Sequence, residues 1–272
     1  MLREERFDAG AVVLNYAVDS ADGPPLVLLH GVMSCWQGWL SSGPTLATRW
    51  RLYVPDLRGH GRSGRVSGGY TIPDYADDIV AFLREVVGAP AVVVGHSLGG
   101  VIATAVAAAA PERVAAVVLE DPPLAAFRGT PFGQRPEHEY FVAMRDLVAA
   151  GHSIPEITAI LGARQPNSDP VWLRAHASRL ARLDPDVLNL IVTDRATGTY
   201  DQDACLRAIA APTLLLQADP AAGGALADAD ADRAIGLLPQ GTLVRLPGVG
   251  HGIHGAVPER FARLVHDFLE FR

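Results

Sequence analysis

The segment that most constrains this chain is the pentapeptide Gly-His-Ser-Leu-Gly at residues 95–99. It follows the apolar run 91–94 and leads into an alanine-rich apolar stretch that ends near residue 110. Such continuous apolar runs are typical of a strand buried on both faces and of a buried helix. Glycines two positions before and after the serine let a strand and a helix approach closely around a tight, strained turn. The pattern predicts a strand–turn–helix unit with Ser97 at the turn.

The chemistry of a serine at such a turn requires two further groups. A serine hydroxyl is a weak nucleophile, so Ser97 needs a neighbouring base and donors for the oxyanion that its attack creates. The backbone N–H of Leu98 lies at the start of the predicted helix, where the helix dipole favours negative charge. His251 is the candidate base, because its glycine-rich loop can carry a side chain to the edge of a sheet. His254 is the alternative base, although packing or local hydrogen bonding is the role expected for it.

Apolar runs alternate with helical patterns through much of the chain, which predicts an α/β fold with a mostly parallel central sheet flanked by helices. Only helical signals occur between about residues 124 and 205, including a capping box at Ser153–Glu156. We therefore expect an α/β core of residues 1–123 and 206–272, interrupted by a helical lid of residues 124–205. The predicted strands are 11–16 (an early edge strand), 26–30, 51–56, 91–95, 113–121, 212–217 and 242–246.

These motifs resemble those of the α/β-hydrolase superfamily, in its serine-nucleophile, lid-bearing branch of esterases and lipases. The likeness covers nearly the whole chain outside the lid. Residues 95–100 are similar to the family's nucleophile elbow, His30-Gly31 to its oxyanion loop, and residues 55–64 to the loop after the next strand. The resemblance implies the α/β-hydrolase fold and a second oxyanion N–H from Val32. It also implies structural rather than reacting roles for His30, His96, Asp56 and Arg58.

The carboxylate that would orient the base has two candidates. The usual family position, after the strand 212–217, holds Ala221, and Asp219 lies two residues before it. Asp121 ends the preceding strand, where some haloalkane-dehalogenase-like members of the superfamily keep their acid. Asp121 is favoured and Asp219 stays the alternative. Glu120 is expected to face the opposite side of the strand from Asp121.

The composition excludes several classes of function. The net charge of −7 offers no basic surface for nucleic acid. The first eight residues carry both signs of charge, unlike a secretory signal, and the longest apolar stretch, 101–110, has about half the length of a membrane span. The two cysteines, Cys35 and Cys205, are too few for a disulfide framework. The sequence therefore predicts a cytoplasmic protein without a membrane contact, and it leaves the oligomeric state open.

Two patterns suggest cofactors but lack the required context. Residues 59–64 and 250–255 both match Gly-x-Gly-x-x-Gly, yet neither leads from a strand into a helix as dinucleotide binding requires. His251 and His254 are three residues apart, which is not the i, i+4 spacing of a helical zinc pair, and no third ligand is indicated. Neither a cofactor nor a metal is expected.

The predicted function is hydrolysis of a carboxylic ester or related acyl bond through an acyl-enzyme. An apolar pocket under a helical lid suits a small to medium uncharged ester, thioester or lactone. A carbon–carbon bond hydrolase, a lactonase, an acyltransferase or a perhydrolase would use the same residues. A non-catalytic small-molecule receptor is the alternative of a different class. The residues expected to line the pocket are Met33, Trp36, Phe127, Phe141 and Trp172.

Overall fold

The computed structural model describes residues 2–124 and 131–270. Eight strands form one sheet in the order β1-β2-β4-β3-β5-β6-β7-β8. Strand β2 is antiparallel to both of its neighbours, and every pairing from β4 to β8 is parallel, which confirms the predicted mostly parallel sheet. The strands are β1 (Arg3–Asp8), β2 (Val13–Val18), β3 (Pro25–Leu29), β4 (Arg51–Pro55), β5 (Ala91–His96), β6 (Val114–Glu120), β7 (Thr213–Ala218) and β8 (Gly241–Leu246).

Helices flank the sheet and fill the long connection between β6 and β7. Within residues 2–124 and 131–270, none of the helices combines the length and hydropathy that crossing a bilayer requires. The helices are α1 (Gly43–Leu46), α2 (Ile72–Phe82), α3 (Leu98–Ala109), α4 (His138–Ala149), α5 (Ile154–Arg164), α6 (Pro170–Leu180), α7 (Pro185–Val192), α8 (Gln202–Ala208), α9 (Asp228–Leu237), α10 (Ile253–Ala256) and α11 (Pro258–Glu270).

The N-terminal edge of the sheet differs from the expectation. The strand predicted at residues 11–16 is β2, and it lies one position inside the edge because β1 pairs along its whole length, from Arg3 opposite Val18 to Asp8 opposite Val13. Strand β1 reads Arg-Glu-Glu-Arg-Phe-Asp and is largely exposed. An edge strand is joined to its sheet by backbone hydrogen bonds and tolerates charge on its side chains. The apolar pattern that marks inner strands is therefore missing from β1.

The side chains of β5 and β6 alternate between two hydrophobic clusters on opposite faces of the sheet. Val93 and Val117 belong to the cluster that contains α2 and α3. Val92 and Val118 belong to the cluster that contains Phe261 and the rest of the apolar side of α11. Successive side chains of a strand point to opposite faces. The side chains of consecutive residues at the carboxyl ends of β5 and β6 therefore lie on opposite faces of the sheet.

Every regular element that the structure describes between β6 and β7 is helical. The Ser153–Glu156 capping box is formed at the start of α5, where the Ser153 N–H donates to the Glu156 carboxylate at 2.8 Å. Helix α8 runs across the predicted boundary between residues 205 and 206 and packs against α3. The last helix of this connection is therefore continuous with the α/β core.

A buried ion pair joins the loop after β4 to helix α2. Arg58 Nε and Nη2 each lie 2.6 Å from a carboxylate oxygen of Asp78. The two side chains are only 4% and 3% exposed, so water does not solvate either charge well. Arg58 Nη1 also donates to the carbonyl of Gly69 at 2.9 Å. The pair thus fixes the long loop that follows β4.

We expect Asp78→Asn to lower the free energy of unfolding by about 3 kcal/mol, because it leaves the buried guanidinium of Arg58 with only the more distant, partly exposed carboxylate of Asp74, 3.7 Å away. Urea unfolding followed by circular dichroism measures the change. Asp77→Asn is the matched control, since the neighbouring Asp77 is exposed. Equal destabilisation by both substitutions would contradict the structural role assigned to the pair.

Candidate active site

Ser97 occupies a strained turn between β5 and α3. Its φ of 54° and ψ of −119° lie in a region that residues with a side chain rarely adopt. The two glycines of the motif make this turn possible. A Cβ on Gly95 would lie 2.2 Å from the carbonyl oxygen of Gly99, and a Cβ on Gly99 would lie 2.3 Å from that of Leu29. The predicted strand–turn–helix unit is present, and backbone crowding explains its glycines.

Strained backbone conformations are found around one cavity, the one that Ser97 lines. Among the residues that the structure describes, the non-glycine residues with positive φ are Met33 (61°), Ser97 (54°), Asp121 (44°) and Asp194 (57°). Met33, Ser97 and Asp194 line one cavity, and Asp121 binds a histidine that lines it. Conformations of this kind cost about 1–3 kcal/mol each and persist where the surrounding structure imposes them.

His251 and Asp121 form a hydrogen-bonded pair at the cavity that Ser97 lines. His251 Nδ1 lies 2.6 Å from Asp121 Oδ2, and the Asp121 carboxylate is completely buried. The same carboxylate accepts the backbone N–H of Ala218 at 3.1 Å and that of Ala225 at 2.7 Å. With its Nδ1–H donated to Asp121, His251 keeps the Nε2 lone pair available to accept a proton. His251 and Ser97 both line the cavity.

Asp219 has a different environment. Its carboxylate accepts the backbone N–H of Gly248 at 2.8 Å and that of Ala221 at 2.9 Å. These two donors lower the pKa of the Asp219 carboxyl. The side chain thus fastens the turn after β7 to the loop after β8. Of the two candidate acids, Asp121 is the one whose carboxylate lies within hydrogen-bonding distance of His251.

The candidate oxyanion donors belong to residues that line the same cavity as Ser97. Val32 and Leu98 line the same cavity, and Leu98 is the first residue of α3, so its N–H has no acceptor within the helix. Gly31 brings the preceding loop close to the elbow. A Cβ on Gly31 would lie 2.9 Å from His96 Nδ1 and 3.0 Å from Ser97 Cβ. A side chain at this position would push the oxyanion loop away from the serine.

Two buried histidines support the candidate oxyanion loop around Gly31. His30 Nδ1 donates to the Gly31 carbonyl at 2.8 Å, and its Nε2 accepts the Leu57 N–H at 3.0 Å. Because a carbonyl can only accept and an amide can only donate, His30 carries its proton on Nδ1. His60 lies against His30, with ring centroids 5.0 Å apart, and donates from Nδ1 to the Arg58 carbonyl. Burial lowers the pKa of His30 to about 4 and that of His60 to about 3, so both are neutral near pH 7.

The cavity above Ser97 has a volume of about 550 Å³. Its described walls combine apolar side chains with three charged residues, Arg135, Glu137 and Asp194. Asp194, at the end of α7, accepts the backbone N–H of Phe132 at 2.8 Å and so ties the segment before α4 to α7. No residue spacing in the sequence marks these three positions. The apolar lining residues are Val32, Met33, Leu98, Pro123, Phe132, Phe141, Ile191, Ala196 and Ala225.

The prediction for the pocket walls needs correction. Met33 and Phe141 line the cavity, whereas Trp36 and Trp172 are absent from its described lining. Trp36 starts the 3₁₀ helix Trp36–Ser41 and packs against the cluster on the α11 side of the sheet. Trp172 lies in the first turn of α6, is 44% exposed and stacks on His176. Phe127 lies outside the described residues.

A sequence model of the alpha/beta hydrolase fold matches residues 24–255. The chain belongs to the α/β-hydrolase family. The 2-(acetamidomethylene)succinate hydrolase of Mesorhizobium japonicum is 28% identical over 97% of this chain and 94% of its own length. A crystal structure of E-2-(acetamidomethylene)succinate hydrolase covers 99% of this chain and 100% of that chain, with a TM-score of 0.79 and 25% identity. The magnesium-chelatase 30 kDa subunit of Rhodobacter capsulatus is 29% identical over 92% of this chain and 88% of its own length.

We expect Asp121→Asn to slow the reaction of Ser97 with a fluorophosphonate by about 1,000-fold or more, because asparagine cannot hold His251 in the tautomer that accepts the serine proton. Asp219→Asn should leave the rate within about twofold of wild type, since Asp219 fastens a turn. The rates are measured by mass spectrometry of the intact protein. The assignment of the acid would be wrong if Asp219→Asn slowed labelling more than Asp121→Asn did.

Stability should fall as the pH falls below about 6.5. The pKa of His60 is about 3 in the folded protein and 6.5 in a solvated histidine, so the unfolded chain binds a proton in this window that the folded protein does not. One such histidine removes about 2 kcal/mol of stability between pH 7 and pH 5. His60→Asn keeps a donor near the Arg58 carbonyl and removes this proton linkage.

Urea unfolding of both proteins at pH 7 and pH 5 tests this expectation. The loss of stability should be smaller in His60→Asn than in wild type by about 2 kcal/mol. His152→Asn removes an exposed histidine and serves as the control. An unchanged pH dependence in His60→Asn would show that burial of this imidazole does not contribute to acid sensitivity.

Proposed function

We propose that this chain is a serine hydrolase that cleaves an ester or related acyl bond through an acyl-enzyme. The observation that supports it best is the presence of Ser97 and His251 in one cavity, with the Nδ1–H of His251 donated to the buried Asp121. A serine, a base and a carboxylate in this arrangement are the elements of nucleophilic acyl transfer.

The first half of the reaction transfers the acyl group to the protein. His251 Nε2 takes the proton of Ser97 Oγ as that oxygen bonds to the substrate carbonyl carbon. The carbonyl π electrons move to the oxygen, and the N–H groups of Val32 and Leu98 stabilise this oxyanion. When the intermediate collapses, the bond to the leaving group breaks and protonated His251 gives its proton to the leaving atom.

The second half returns the protein to its starting state. A water molecule loses a proton to His251 as its oxygen attacks the acyl carbon. The bond to Ser97 Oγ then breaks, and His251 returns the proton to that oxygen. The strained turn at Ser97 holds the serine oxygen close to both groups throughout, so the protein need not reorganise in either half.

The segment 124–205 acts as a lid in this proposal. Helix α4 contributes Tyr140 and Phe141 to the cavity, and α7 contributes Ile191. The volume of about 550 Å³ favours a small or medium substrate over a long acyl chain. Charged side chains on the lid side favour a substrate with an apolar part beside Ser97 and a polar part beneath the lid. This replaces the purely apolar ester suggested by the sequence.

The relatives widen the range of acyl bonds to be tested. 2-(Acetamidomethylene)succinate, named in the relative from Mesorhizobium, carries an amide and two carboxylates. Amides and lactones therefore belong beside esters and thioesters in a substrate panel, together with carbon–carbon bond cleavage and acyl transfer on the same residues. The name of the magnesium-chelatase subunit does not describe a hydrolase, and it favours one second candidate, a small-molecule-binding protein without turnover.

Hydrolysis of p-nitrophenyl acetate and butyrate, together with fluorophosphonate labelling, tests the proposed function. Ser97→Ala should lower kcat by at least about 1,000-fold and abolish labelling, because no other group takes the place of the nucleophile. Ser168→Ala, in the loop before α6, is the matched control and should retain wild-type activity.

The panel of esters, amides, thioesters and lactones of graded length then identifies the preferred bond. If folded wild-type protein hydrolyses none of these compounds and is not labelled, the enzyme proposal fails. Saturable binding of a small molecule without turnover would then favour the receptor-like alternative.

A further inference from the structure

A second acid–histidine pair lies directly behind the first. Asp121 binds His251, and the preceding residue, Glu120, binds His254. His254 Nδ1 lies 2.9 Å from each Glu120 carboxylate oxygen, and the His254 backbone N–H donates to Glu120 Oε1 at 2.8 Å. The loop after β8 is therefore attached to the end of β6 through two carboxylates, one on each side of the strand.

Strand alternation explains the two sides. In β6, Val118 points into the cluster on the α11 face, so Glu120 points to that face and Asp121 follows on the other. In β5, Val94 belongs to the same α11-side cluster. His96, two residues later, lies on the same face of the strand, and Ser97 is the next residue. His254 completes this inner group between the rings of Trp39 and His96, with centroid distances of 4.2 and 4.9 Å.

His96 connects the inner group to the candidate base. Its Nε2 lies 3.1 Å from the backbone carbonyl oxygen of His251, and the two rings are 4.6 Å apart. Because a carbonyl can only accept, the proton of His96 is on Nε2. Burial lowers the pKa of His96 to about 3, so the ring is neutral near pH 7 and remains a single donor to the His251 backbone.

Glu120 is charged although it has no exposed surface. Burial by itself would raise the pKa of the Glu120 carboxyl, but the contacts with His254 outweigh burial and lower it. An enclosed carboxylate is costly unless it is paired and its oxygens accept hydrogen bonds. Both oxygens of Glu120 meet that condition through the His254 ring and backbone.

We propose that Glu120, His254 and His96, which we call the inner triad, are positioning residues for His251. Glu120 and His254 hold the loop 248–254 from the α11 face of the sheet, and His96, which also lines the cavity, holds the His251 backbone. The His251 ring thereby keeps its orientation towards both Asp121 and Ser97. This proposal rests on the proposed function, since it assigns a role in the same acyl transfer. None of the three residues reacts.

The same three side chains could be read as a metal site, because their ligating atoms lie within 4.8 Å of one another. Their hydrogen bonds favour positioning instead. A metal held through the nitrogens that make these contacts would have to replace the proton on His254 Nδ1, which Glu120 accepts, or the proton on His96 Nε2, which the His251 carbonyl accepts. Those two nitrogens and the Glu120 oxygens are thus engaged with each other and with the loop.

The decisive variant is Glu120→Gln, assayed with p-nitrophenyl butyrate and corrected for the folded fraction. We expect kcat to fall about 10- to 100-fold, because a small misplacement of a catalytic group has an effect of this size. KM should stay within about twofold, since Glu120 is outside the described cavity lining. The low-field proton resonance of the His251 Nδ1–H should shift or broaden.

Asp78→Asn is the matched control for buried charge. It also removes one carboxylate of a buried pair, but the pair joins α2 to the loop after β4 and does not contact the loop 248–254. We expect lower thermal stability and an unchanged low-field resonance of the His251 Nδ1–H. A shift or broadening of that resonance as large as the one in Glu120→Gln would show that the effect is general destabilisation, and it would overturn the proposal.

Two substitutions of His254 test the hydrogen bond separately from the fold of the Glu120 variant. His254→Asn retains a donor close to the Nδ1 position, whereas His254→Phe retains a ring without a donor. Activity should be lower in His254→Phe than in His254→Asn. If Glu120→Gln does not fold, this comparison decides. Equal kcat values in the two His254 variants would contradict positioning by the hydrogen bond.

The outcomes separate the two proposals. An inactive, unlabelled wild type would remove the proposed function. An active wild type whose kcat and low-field resonance are unchanged by Glu120→Gln would leave that function standing and overturn the inner triad. Incubation with EDTA should leave kcat unchanged. Loss of activity in EDTA and its recovery with zinc would show that the three residues bind a metal, and it would overturn the positioning role.

Discussion

The close approach of β5, β3 and α3 around Ser97 is the constraint on which the site depends. Carbonyl oxygens lie 2.2 to 2.3 Å from where side chains of Gly95 and Gly99 would begin. The backbone can turn from strand to helix there only by holding Ser97 at positive φ. The turn exposes the serine to a cavity that Leu98 and His96 also line. Local crowding thus determines the geometry of three neighbouring groups.

The sequence predicted what depends on local geometry. The elbow is a strand, a turn and a helix within about twenty consecutive residues, and glycine spacing reports its backbone contacts directly. The cap at Ser153 is equally local, and helix α5 begins after it. Inner strands were recognised because their burial on both faces requires continuous apolar runs. Strand β1 has no such requirement and was missed.

The remaining features depend on contacts between distant segments. Asp121 and Asp219 both follow a strand at the carboxyl edge of the sheet, so periodicity alone does not distinguish them. The difference arises because the loop after β8 reaches across β7 and places His251 beside Asp121, 130 positions earlier in the chain. The pocket walls have the same origin. Trp36 is close to the oxyanion loop in sequence, but its 3₁₀ helix turns towards the α11 face.

Stability alone does not account for the inner triad. Replacing a buried ionic group by apolar side chains of similar volume is often neutral or stabilising, because desolvation offsets most of the attraction. Here the ionised Glu120, which has no exposed surface, lies on the face of β6 that packs against an apolar cluster. Hydrogen bonds are directional, whereas apolar packing is not. A loop that must hold one imidazole in line with two partners needs a directional contact on its far side, and the residue next to Asp121 is the position from which the strand can supply it.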